Sequence, residues 1–127
     1  MKLRKMLLEQ EMNIIDHMAS MYGLKAKKVD VSFKKVSSSK TKECFDNAYK
    51  YVTRNTEATY VLGYMLFHGM PIEHAWIKEK GKYHEITIQS DDAEYYSLVE
   101  FNFSELLAFT EKSLRAPDLY EYRKHGK

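Results

Sequence analysis

The chain has 127 residues, 44% of them hydrophobic, with five glycines and two prolines. That is the composition of one globular domain, here taken as 1–127, with a sizeable core. Twenty basic against 18 acidic residues leave a net charge of +2, so overall charge gives no argument for nucleic acid or a membrane surface as partner. The single cysteine excludes an internal disulfide and a multi-cysteine zinc site, and it fits a reducing, cytoplasmic setting.

In chain order, Met1 to Glu11 starts like a signal peptide, but its apolar run stops at Leu8 and Glu9 and Glu11 break it. No stretch approaches the roughly twenty apolar residues of a membrane span. Leu3, Met6, Leu7, Ile14, Ile15, Met18 and Met21 recur at helical spacing, which predicts an amphipathic N-terminal helix within 1–23, over residues 3–22, with Gly23 as its C-cap. Val29, Val31 and Phe33 alternate with Asp30, Ser32 and Lys34, the pattern of one half-buried strand. A serine-rich loop follows. Ser39 or Thr41 is then placed to cap a helix running to about Arg54, with Phe45, Ala48 and Val52 as its buried stripe and Cys44 at the stripe's edge.

Tyr60–Phe67 is almost continuously apolar and reads as a strand covered on both faces, with Gly63 marking a close backbone approach. A turn is expected at His68–Pro71, followed by a hairpin of 72–78 and 82–88 around Glu79-Lys80-Gly81. Tyr95–Phe101 reads as a further strand. Asn102 with Glu105 forms a capping box for a helix of about 103–114, and Pro117 separates it from a tyrosine-rich, charged tail, 116–127.

The chemistry centres on Cys44. A cysteine at a helix start, followed by a histidine on a strand and an acid on the next strand, has the order of nucleophile, base and orienter. The helix N-terminus and a nearby imidazolium both favour the thiolate. His74 is the first candidate base, with His68 and His84 as rivals. The orienter depends on hairpin register. A two-residue Lys80-Gly81 loop puts Glu85 on the face of His74, whereas a three-residue loop with a bulge puts His84 there. His68, Glu73, His74 and His84 match no metal-ligand spacing, so neither metal nor cofactor is expected.

Cys44-Phe45-x-Asn47-Ala48, Tyr60-Val61-x-Gly63-Tyr64, Pro71-Ile72-Glu73-His74-Ala75-Trp76 and Gly81-Lys82-Tyr83-x-Glu85-Ile86-Thr87 together resemble the papain-like and transglutaminase-like cysteine hydrolase superfamily, in its small bacterial and phage forms. The resemblance covers about residues 41–88. It implies Cys44 as nucleophile, His74 as base and Glu85 as orienting acid, the last being glutamate where the family usually has aspartate. Of the other motif residues, Asn47, Tyr64 and Trp76 are expected at the substrate site. No glutamine shortly before Cys44 offers an oxyanion donor, which leaves the Cys44 backbone N–H.

The expectation is therefore an α+β fold, an antiparallel sheet with a cysteine-bearing helix packed against it. The expected function is thiol-dependent acyl transfer on an amide of a protein or peptide substrate: hydrolysis, as in a thiol protease, deamidation or transamidation. The competing expectation is a non-catalytic protein-binding module of the same fold, such as a phage or bacterial accessory protein, presenting Tyr95, Tyr96, Tyr120 and Tyr122 to a partner.

Overall fold

The structure, a computed structural model, describes residues 14–126. Helix α1 covers residues 14–20; the expected helical residues 3–13 lie outside the described residues. Gly23 ends this helix as anticipated. It adopts φ +70°, its N–H donates to the Ser20 carbonyl, and the Leu24 N–H donates to the Ala19 carbonyl. That reciprocal pair closes the last turn, and it needs a left-handed residue where glycine carries no steric penalty.

Six strands follow, with three more helices: β1 (Lys27–Val29), β2 (Val31–Phe33), α2 (Cys44–Arg54), β3 (Thr59–Phe67), β4 (Met70–Glu79), β5 (Lys82–Glu85), β6 (Glu94–Phe101), α3 (Phe103–Ser113) and α4 (Leu119–His125). The sheet order is β1-β6-β3-β4-β5-β2, in an α+β arrangement with the cysteine on α2. Two expectations are corrected here. The segment read as one strand is two, parted at Asp30: β1 pairs antiparallel with β6, and β2 pairs parallel with β5. The sheet is thus mixed rather than purely antiparallel. Because β1 and β2 adjoin in the chain yet sit at opposite ends of the strand order, the sheet curls until its two edges nearly meet. Alternation reveals a strand but not its partners, and Phe33, on the outermost strand, stays 41% exposed.

Curling gives the sheet an inner and an outer face. Val29, Val61, Met65, Trp76 and Tyr95 pack together as a core of their own. The larger core, with Tyr60, Leu62, Tyr64, Ala75, Ile77 and Tyr96, meets the helices through Ile15, Ala48, Val52, Leu106 and Leu119. β3, central in the sheet, is buried along nearly its whole length, as its apolar run predicts. At Gly63 a Cβ would lie 2.0 Å from the Tyr96 carbonyl oxygen and 2.9 Å from Trp76. The β3–β6 register shifts at that residue, so the glycine admits a bulge and the close approach it brings.

The His68–Gly69 turn is shorter than expected, and Met70 and Pro71 belong to β4. β5 pairs with β4 only over Ile77–Glu79, so at Pro71 β4 is an edge strand, where a missing N–H is tolerated. The capping box of α3 forms as expected, with the Asn102 side chain accepting from the Glu105 N–H at 2.8 Å and Glu105 accepting from the Asn102 N–H at 3.0 Å. The tail expected at 116–127 contains helix α4, capped by Asp118 and anchored by buried Leu119. None of the described helices is long and apolar enough to cross a membrane.

Candidate active site

α2 begins at Cys44, so the thiol sits in the first turn. The expected caps do not operate: the N-cap residue is Glu43, and no side chain bonds to the first-turn N–H groups. Phe45, Ala48 and Val52 turn toward the main core, and α2 lies mainly against β4. Its first turn comes alongside the part of β4 that β5 leaves unpaired, and there Cys44 meets His74.

The hairpin has the two-residue loop. Glu79 pairs with Lys82, Lys78 with Tyr83 and Ile77 with His84, so Glu85 falls on the face of Trp76 and His74. His74 Nε2 and Glu85 Oε1 are 2.7 Å apart. Both residues are 2% exposed. The Cys44 thiol is the other group that acts on the imidazole, and its influence raises the His74 pKa. With Nε2 engaged by the carboxylate, Nδ1 is the ring nitrogen left for another partner. Burial alone would push the His74 pKa down, but the neighbouring Cys44 and the hydrogen-bonded Glu85 carboxylate raise it to about 9.

Glu85 is held at both oxygens. Oε1 accepts from His74 and from the Tyr95 hydroxyl at 2.5 Å, and Oε2 accepts from the backbone N–H groups of Thr87 (2.9 Å) and Ile88 (3.1 Å). Burial works against its charge, yet these hydrogen bonds and the neighbouring imidazole hold its pKa below the usual carboxylate value. Burial and the Glu85 carboxylate in turn push the Tyr95 hydroxyl far up, so it stays a donor.

Asn47, one turn after Cys44, donates through Nδ2 to the Lys40 carbonyl (2.8 Å) and to Thr87 Oγ1 (2.9 Å), while its Oδ1 accepts from the Lys40 N–H (3.0 Å). It stitches the loop before the helix and the segment after Glu85 to the first turns of α2.

The three residues expected at a substrate site are all buried. Asn47 is spent on those bonds. Trp76 is fully buried beside His74, its ring centroid 6.2 Å from the imidazole in a stacked geometry. Tyr64 pairs with Glu73, one residue off from His74, and so faces the helix-covered side, where burial first, then Tyr22 and Glu73, pushes its hydroxyl up to about 12. The rival histidines are elsewhere: His68 is exposed in its turn and packs on Phe67, and His84 lies opposite Ile77 on the other face. Tyr95 and Tyr96, expected as interface tyrosines, are both buried, because β6 is covered on each face. Among the described residues, no three His, Cys, Asp or Glu side chains converge as a metal site.

Tyr95 is the member of the cluster that the sequence reading assigned elsewhere. It reaches Glu85 from β6, and in the sheet order β3 and β4 stand between β6 and β5; no sequence spacing encodes that meeting. A shallow groove of about 270 Å³ borders the start of α2, lined by Lys42, Glu43, Phe45, Asp46 and residues of the α3–α4 connection, while Cys44 itself is 9% exposed. Comparison with protein-family models, with curated proteins and with solved structures finds no match.

Proposed function

We propose that this protein is a thiol-dependent acyl-transfer enzyme acting on amides, with Cys44 as nucleophile, His74 as general acid and base and Glu85 as the orienting carboxylate, on a papain-like or transglutaminase-like core. The observation that carries the reading is one buried imidazole held at Nε2 by a fully hydrogen-bonded carboxylate, with the Cys44 thiol near enough to raise its pKa. A structural ion pair needs no sulfur at the second nitrogen, whereas a nucleophile–base–orienter set requires it.

In the proposed cycle the Cys44 sulfur attacks the amide carbonyl as His74 takes its proton. The oxyanion forms beside the uncapped first turn of α2, where the Cys44 N–H is the candidate donor. The Nδ1 proton passes to the leaving amine or ammonia. His74 then takes a proton from water, or from an acceptor amine, as that group attacks the thioester; the acid or new amide leaves and the sulfur is regenerated. Glu85 stays ionised throughout and fixes the ring through Nε2. Hydrolysis, deamidation and transamidation share these steps, and the proposed substrate is a protein or peptide.

The test is trapping. Incubation with glutamine-containing peptides and hydroxylamine should yield hydroxamate and release ammonia, with a Cys44-linked acyl adduct visible by intact mass. Both signals should vanish in Cys44→Ala. If neither a broad amide-peptide library nor electrophilic esters acylate Cys44, the enzymatic reading is wrong.

The burial of Cys44 favours one alternative, a non-catalytic binding module that keeps the triad-like cluster as a packing device. It predicts that Cys44→Ser leaves every biological effect of the protein intact.

A further inference from the structure

We infer that the hairpin end of the curled sheet is a docking site for an acidic, extended polypeptide segment. The near-neutral net charge conceals a strong separation. Residues 25–35 carry five lysines against Asp30, and residues 78–84 carry three against Glu79, an excess of six positive charges in a chain whose total is +2. The rest of the chain is therefore net negative. The two basic segments are distant in sequence, and the parallel β2–β5 pairing brings them together.

Between them lies a cleft of about 520 Å³, walled by Lys27, Lys28, Ser32 and Lys82 against the single carboxylate Asp30, with Val29 and Val31 supplying apolar surface. Carboxylates partly answer this charge: Glu94 lies 3.7 Å from Lys28, Glu79 3.1 Å from Lys34 and Glu100 3.7 Å from Lys78. Among the described residues, no carboxylate pairs with Lys27 or Lys82.

Two features select a peptide over other polyanions. β1 ends the strand order, with β6 as its sole neighbour, so its second edge offers unpaired backbone groups along the cleft. An added strand would satisfy them, and lysines would meet its acidic side chains. Secondly, the aromatic ring in the cleft wall is not free to stack on a base. Tyr83 has the Lys27 and Lys78 ammonium groups 5.9 Å and 5.1 Å from its ring centroid, and its hydroxyl donates to Glu100 at 2.6 Å. Single-stranded nucleic acid relies on such a stacking platform.

The cleft is separate from Cys44. α2 carries Cys44 at one end, and near the other end Tyr51 donates to Glu79, beside the hairpin turn, at 2.7 Å. The two places are thus on the order of one helix length apart, about 15 Å. The inference stands whether or not the thiol is catalytic.

The experiment titrates the full chain into a fluorescein-labelled decapeptide of alternating glutamate and valine, read by anisotropy at about 0.15 M salt, with ¹⁵N spectra of the protein alongside. A lysine–valine decapeptide, a single-stranded oligonucleotide and anionic phosphatidylserine vesicles serve as comparisons. We expect saturable binding of the acidic peptide, amide shifts concentrated in β1 and the hairpin turn, and a loss of about tenfold or more in affinity for Lys27→Glu/Lys82→Glu. Cys44→Ala should bind as wild type does. The inference is overturned by undiminished binding in the charge-reversed variant, provided its spectrum shows a native fold. It is equally overturned by no binding, or by tighter binding of the oligonucleotide or the vesicles than of the peptide.

Discussion

His74 and Glu85 meet through a 2.7 Å contact between Nε2 and Oε1, inside a sheet that leaves each residue 2% exposed. The contact depends on hairpin parity: one more residue in the Lys80-Gly81 turn would place His84 on that face and Glu85 on the other. The remaining lone pairs of the carboxylate are taken by Tyr95, Thr87 and Ile88, so the charge is compensated rather than merely buried.

The first prediction concerns the thiol. Iodoacetamide at about pH 6 should alkylate Cys44 faster than it alkylates a free cysteine, because the proposed base His74 can take the thiol proton as the sulfur attacks. His74→Ala should remove most of the advantage, measured by intact-mass kinetics. Equal rates in the two proteins would mean that the imidazole does not activate the sulfur.

Glu85→Gln keeps the shape and removes the charge. Burial, the largest influence on His74 and a downward one, then meets less opposition. The histidine titration followed by NMR should drop by at least about one pH unit. Turnover should fall about a hundredfold or more with circular dichroism unchanged. An unaltered rate would leave a two-residue Cys-His site.

Stability should depend on pH through His74. Its folded pKa of about 9 lies above the ordinary 6.5, so the folded chain holds the proton more tightly than the unfolded one. That stabilisation is complete below about pH 6.5 and disappears as the pH rises through about 9, amounting to at most about 3 kcal/mol. Urea midpoints from pH 6 to 10 for wild type and His74→Gln test this. Parallel curves would show that the proton is not linked to folding.

Gly63→Ala should be severely destabilising. Its Cβ would meet a backbone carbonyl oxygen at 2.0 Å, which no rotamer change relieves, and overpacking of this kind costs about 3 kcal/mol or more. A denaturation midpoint close to that of wild type would mean that the bulge can open without cost.

Local periodicity made most of the elements legible. The apolar run of β3, the capping box of α3 and the glycine end of α1 each follow from residues within a turn or two of one another, where backbone sterics and hydrogen bonding decide the conformation. The Cys44, His74, Glu85 order is likewise written in the chain, and the two-residue turn was one of two registers it allowed. Tertiary structure decided the rest. Strand alternation carries no record of which neighbour a strand will take, so the split of residues 27–33 between opposite sheet edges was not readable. Neither was the arrival of Tyr95 at Glu85, nor the gathering of two lysine-rich segments at one end. Each depends on how the sheet curls, and curling is set by the packing of the whole chain, to which no short stretch holds the answer.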